Sequence, residues 1–149
     1  MASDTINIVC FGNELHGDDG FGPAIHRRLA ELTLPPGVRA LRADVGGLAA
    51  LGCFENCRRA IVVDALAGFG PPGSLHLLDP DDIAPESGAQ HGQGLGGLLR
   101  LLPAAIASPP QVQVVGVEMA AMQPFSPGLS EVVAARLDAA VEQVQALIR

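Results

Sequence analysis

Short apolar runs alternate with segments of helical periodicity along this chain, and that alternation restricts the fold more than any other feature. "INIVCF" (residues 6–11) stops at a glycine and reads as a buried strand. "GFGPAIHRRLAEL" follows, with Pro23 early and Ile25, Leu29 and Leu32 at helical spacing, which predicts a helix from near Gly20. "VRALRA" offers a second strand, "LAALGCFENC" a second helix, and "RRAIVVDAL" the clearest strand. "SLHLL" comes too soon after Asp64 for a crossover helix to intervene, so this strand is expected to return antiparallel, as in a hairpin. "LGGLLRLLPAAI" predicts a third helix and "VQVVGVE" a fifth strand. Residues 129–149 predict one final helix, with Val133, Leu137, Val141, Val144 and Ile148 on a single face. The expected class is α/β: a three-layer αβα sandwich on a five-stranded, mostly parallel sheet that carries one antiparallel strand. No internal repeat or long linker interrupts the 149 residues, which predicts a single domain, 1–149.

Charge narrows the function. All nine basic residues are Arg, against sixteen Asp and Glu, for a formal charge of −7. A surface of that sign is wrong for a nucleic-acid binder, which needs clustered cations to neutralise phosphates. The absence of Lys removes every mechanism that needs an ammonium, including the P-loop lysine and Schiff-base chemistry. No apolar run is long enough for membrane insertion, and the start lacks the basic and apolar regions of a signal peptide. A cytoplasmic location is expected. Cys10, Cys53 and Cys57 form no CxxC pair, so they read as buried small hydrophobes rather than a disulfide framework or zinc site.

In open α/β sheets, ligands bind beyond the carboxyl ends of the strands. Asp18, Asp19, Asp44, Asp64 and Glu118 all fall at or just after expected strand ends, which gathers acidic residues on one rim. "GNELHGDDGFG" is the most informative stretch. A helix cap would need one carboxylate. Two adjacent Asp among Gly12, Gly17, Gly20 and Gly22 suggest close backbone approach or positive φ at several points, as a loop brought close to a bound protein surface would need. Asp64 closes an apolar strand, while Asp44 suits an Asx-type turn before "VGG". His91 lies in the long polar loop before the third helix. If that loop folds over the rim, two carboxylates and an imidazole would make an open site for a divalent first-row metal. His16 is the alternative imidazole, whereas His26 and His76 read as structural. "GFGPPG" (residues 68–73) matches GxGxxG, but two prolines and a strand follow it instead of a helix, so it fails as a dinucleotide fingerprint.

These pieces, in this order, resemble the nickel–iron hydrogenase maturation endopeptidases, which remove a C-terminal extension from the hydrogenase large subunit. The resemblance spans nearly the whole chain: "FGNELHGDDGFG" after the first strand, "DVGG" after the second and "VVDA" ending the third. It continues with "HGQGLGGLLRLL" at the third helix and "VVGVE" with "QPFSPGLS" toward the last. The chain departs from the family pattern at Cys10 and Val45, where glycine is usual. The resemblance implies a metal-binding triad of Asp19, Asp64 and His91, with Asp19 and Asp64 as the catalytic candidates. It implies that the metal is nickel borne by the substrate and recognised rather than permanently held; another divalent metal could take its place in vitro. It implies a nickel–iron hydrogenase large-subunit precursor as partner, met by a monomer. Either metal-polarised water or water activated by a carboxylate general base could attack the peptide bond.

Two other readings remain. A non-catalytic docking or chaperone module for the large subunit would keep the binding surface without the chemistry. A response-regulator receiver also places acidic residues after its first and third strands, as Asp18, Asp19 and Asp64 do here. Receivers depend on a lysine after the last strand, and this chain has none.

Overall fold

In the computed structural model, which describes residues 4–43, 48–84, 94–120 and 126–149, five strands form one sheet in the order β2-β1-β3-β5-β4. They are β1 (Ile6–Phe11), β2 (Val38–Ala43), β3 (Arg59–Leu66), β4 (Leu75–Leu78) and β5 (Gln111–Glu118). Pairing is parallel between β1 and β2, β1 and β3, and β3 and β5, and antiparallel only between β4 and β5. The helices are α1 (Phe21–Ala30), α2 (Leu95–Ala105), α3 (Glu131–Ala134) and α4 (Leu137–Leu147).

The period of two in the strands divides their side chains between two cores. Ile8, Cys10, Ile61, Val63, Val115 and Val117 face Ile25 and Leu29 of α1 and Val144 of α4. Val9, Phe11, Ala60, Val62, Val112 and Val114 face Leu98 and Leu102 of α2, together with Phe54. Strands covered on both faces can be apolar at every position, which is why β1 and β3 read as unbroken runs. The expected sandwich, with a mostly parallel sheet and one antiparallel strand, is the observed architecture.

Three local expectations change. The antiparallel strand β4 is not the hairpin partner of β3, because β5 occupies that edge; the chain crosses the end of β5 and pairs on its far side. The second expected helix is a 3-10 segment, Leu48–Phe54. Gly52 lies within it and Asn56 takes a positive φ of 56° just beyond, so tight turns replace a sustained α-helix. The final helix is two pieces. A tight bond from the Arg136 amide to the Val133 carbonyl closes α3 before α4 begins. The start of α3 is held by the rim of the sheet while α4 packs against α1 and β5, so one straight axis cannot serve both.

The crossover after β1 begins almost at once because Gly22 lies against the Phe11 carbonyl, where any Cβ would overlap the backbone. On the opposite face Phe54 is fully buried and its ring stacks 6.3 Å from that of Phe11. Phe54→Ala should cost about 3–5 kcal/mol of folding stability, measured by urea unfolding, because a large cavity would open beneath β1.

Candidate functional site

The strand order reverses between β1 and β3: the chain leaves β1 toward β2 on one side, then returns to place β3 on the other. At such a switch point the crossovers diverge to opposite faces and leave a crevice at the carboxyl edge. The segment after β1 and the end of β3 border that crevice. The β1–β3 register runs only to Cys10 opposite Val63, so Asp64 is the first residue of β3 beyond it. Asp64 does not end its strand, as the sequence suggested. It pairs with Gly116 of β5, and β3 continues to Leu66. By strand alternation it shares the α2 side with Ala60 and Val62. It is half-buried, and its carboxylate accepts the Ala65 amide at 2.8 Å.

The Asp pair forms part of a 3-10 turn, Gly17–Gly20, that packs against β3. Neither Asp caps α1; Gly20 occupies the N-cap without a side-chain bond. The two carboxylates have separate tasks. Asp18 is 1% exposed and accepts the Ala120 amide at 2.8 Å, the Ser130 amide at 2.7 Å and the Ser130 hydroxyl at 2.9 Å. It ties the end of β5 and the start of α3 to the turn. Asp19 is half-buried, and its Oδ2 accepts the Asn13 amide at 2.9 Å. Asn13 in turn accepts the Leu15 amide through its side chain, an Asx turn that shapes the approach to Asp19. Gly12, at φ 133°, lies against the Asp19 carbonyl so closely that no Cβ would fit. The glycines therefore serve a close approach within the chain, between the loop and the turn that carries Asp19.

Glu118 is also a fastening. Its carboxylate is buried and accepts the Gly68 and Phe69 amides, each at 2.8 Å. The first residues of "GFGPPG" thus do hold an anion on backbone amides, but that anion is the chain's own side chain. Sequence reading singled out neither Asn13 nor Ser130. The expected helix over 129–149 placed Ser130 inside it, whereas Ser130 precedes α3 as its N-cap.

His91 and Asp44 lie outside the described residues, as does Val45. The structure therefore brings the turn of Asp19 and the strand of Asp64 to one crevice, while the place of His91 is not described. Among the described residues, no three His, Cys, Asp or Glu side chains are gathered to hold a metal ion. His16 is half-buried beside the Asp pair, and its bridge to Ser126 joins the turn to the approach to α3. His26 lies on α1, and His76 lies on β4 within hydrogen-bonding distance of Ser74. All three thiols are free. Burial pushes the Cys10 thiol up to about 12, with Arg42 opposing slightly, so it carries no nucleophilic thiolate near neutrality. Burial also raises Cys53 and Cys57. No described helix is long and apolar enough to cross a membrane.

Known proteins give the same outline. Residues 23–147 match the hydrogenase maturation protease family, HycI. A candidate hydrogenase maturation protease of Methanocaldococcus jannaschii is 33% identical over 147 residues, covering 95% of this chain and 95% of that protein. The hydrogenase 2 maturation protease of Escherichia coli is 28% identical over 149 residues, covering 97% of this chain and 90% of that one. The solved structure of the E. coli hydrogenase maturating endopeptidase HybD superposes with a TM-score of 0.84 at 27% identity, covering 97% of this chain and 92% of that one. The mixed five-stranded sheet with its flanking helices is the fold that this endopeptidase shares with the chain. The chain belongs to the hydrogenase maturation protease family.

Two measurements check this geometry. Glu118→Ala should cost about 1–3 kcal/mol in urea unfolding, because the Gly68 and Phe69 amides would lose a charged acceptor that ties their loop to β5. The raised Cys10 pKa also has a sign. The folded state keeps its proton to about 12, while the unfolded thiol loses it near 9, so this contribution is whole below 9 and falls as pH rises from there toward 12. Urea midpoints should decline over that range, and Cys10→Val should flatten the decline.

Proposed function

We propose that this protein is an endopeptidase that removes the C-terminal extension of a nickel–iron hydrogenase large-subunit precursor once nickel has been inserted. It would act as a cytoplasmic, single-domain monomer. The observation that carries this reading is the meeting of Asp19's turn with Asp64's strand at the β1–β3 switch point, in a chain of the maturation protease family. Nickel belongs to the substrate. Asp19 and Asp64 supply carboxylate oxygens on the two sides of the crevice, and His91, which precedes α2 in sequence, supplies the imidazole. Two oxygens and one nitrogen leave coordination positions open, as recognition of an ion already held by another protein requires.

The donors also supply the chemistry. Asp19 is fixed by the Asn13 amide and Asp64 by the Ala65 amide, so both are oriented before substrate arrives. In one route, nickel polarises the attacking water, and the carboxylates position the ion and the scissile bond. In the other, one carboxylate takes a proton from water as it adds to the carbonyl carbon, and the proton passes to the departing amine. The buried neutral thiol of Cys10 takes no part in either. An exchangeable metal in vitro, such as another divalent ion, would report the same donor set.

The test uses large-subunit precursor prepared with and without nickel, incubated with this protein and followed by intact mass. Cleavage of the nickel-loaded form alone is expected. Asp19→Ala and His91→Ala should each reduce the rate by about 100-fold or more with the fold intact, since removing a positioned catalytic group has effects of this order. Binding without cleavage of either form would favour a docking role, and normal cleavage by either variant would remove that residue from the site.

A further inference from the structure

Asp18 adjoins the proposed catalytic Asp19, yet its carboxylate is buried and committed to three donors. Those donors come from Ala120, just past β5, and from Ser130, just before α3, and are therefore the two ends of one connection. The Gly17 amide adds a bond of 2.9 Å to the Ser126 carbonyl within that connection. The turn Gly17–Gly20 is thus held from the α3 side through Asp18 and from the β1 side through the Asn13 amide on Asp19. The same connection and turn line a cavity of about 350 Å³, with Gly17 and Asp18 facing Pro127 and Leu129.

We propose that Asp18 is a positioning residue for proteolysis: by clamping Ala120 and Ser130 to the turn, it fixes the direction in which Asp19 is presented to the crevice. The proposal rests on the protease reading for its functional consequence but not for its geometry. A neutral amide cannot replace this carboxylate. Oδ1 accepts the Ser130 amide, and Oδ2 accepts both the Ala120 amide and the Ser130 hydroxyl. In Asp18→Asn, either orientation of the side chain sets its NH₂ against a donor. Ser130→Ala is gentler, since it removes only the hydroxyl bond and leaves both backbone amides on Asp18.

The Asn13 amide reports the orientation of Asp19 directly, because it donates to Asp19 and to no atom of Asp18. In Asp18→Asn its hydrogen exchange should quicken by about 10-fold or more, while the buried Val62 amide in β3 stays protected. Single-turnover cleavage of nickel-loaded precursor should slow by about 100-fold, with precursor affinity within a few-fold of the parent, because a small misplacement of a reacting group acts on rate. Ser130→Ala should move both readouts in the same direction by a smaller factor. If Asp18→Asn exposes Val62 as well, the Ser130→Ala pair of readouts decides. Unchanged Asn13 exchange in a folded variant would overturn the proposal, and so would a loss confined to affinity. If the unsubstituted chain cleaves nothing, the protease reading fails, and Asn13 exchange still decides whether Asp18 orients Asp19.

Discussion

Pairing of β3 with β1 on one side and β5 on the other is the constraint on which the remaining architecture depends. It makes β3 the middle of the sheet, so its side chains must be apolar toward both layers, as Ile61, Val62 and Val63 are. It also places the reversal of strand order between β1 and β3, and hence the crevice. Because the β1 register stops opposite Val63, the next residue is the first that can carry charge at the crevice while still held in a strand. That residue is Asp64. A polar group is thus presented from the most rigid element of the molecule.

Among the described residues, the carboxylates of the acidic rim differ in burial and in the segments they hold. Asp18 and Glu118 are buried and accept backbone amides from other segments. Charge-assisted bonds of this kind fasten the connections around the sheet's carboxyl edge to its strands. Asp19 and Asp64 are half-buried and accept amides from near in sequence, which orients them without enclosing them. The proposed chemistry uses the second pair, and the first pair explains how a rim built from connections can be held steady enough for it. The −7 charge of the chain is therefore partly internal architecture.

The sheet was largely legible because its signals are local and redundant. Strands buried on both faces must be apolar, and the short link from Asp64 to "SLHLL" excludes a parallel return. The direction of β4 followed from that link, but its partner did not, since an edge is claimed by whichever strand pairs there first in space. Helix continuity was legible where periodicity was long and unbroken, as in α1 and α2. It failed at residues 48–54, where Gly52 favours tight turns, and at 135–136, where tertiary anchoring splits one amphipathic pattern into two helices. The Asp18-Asp19 pair could be recognised as more than a cap, yet nothing in two adjacent identical letters distinguishes the buried carboxylate from the presented one.

The sequence by itself determined the α/β class, the five strands and the resemblance to the hydrogenase maturation proteases, the family to which the chain belongs. Those properties follow from hydrophobic period, glycine placement and residue order, each readable within a few positions. Only the tertiary structure decided the far-edge position of β4, the Gly12 contact with the Asp19 carbonyl and the commitment of Asp18 to Ala120 and Ser130. Those partners are separated from Asp18 by 102 and 112 residues. A hydrogen bond across such a distance leaves no local pattern, because its donor is a backbone amide that every residue except proline also possesses.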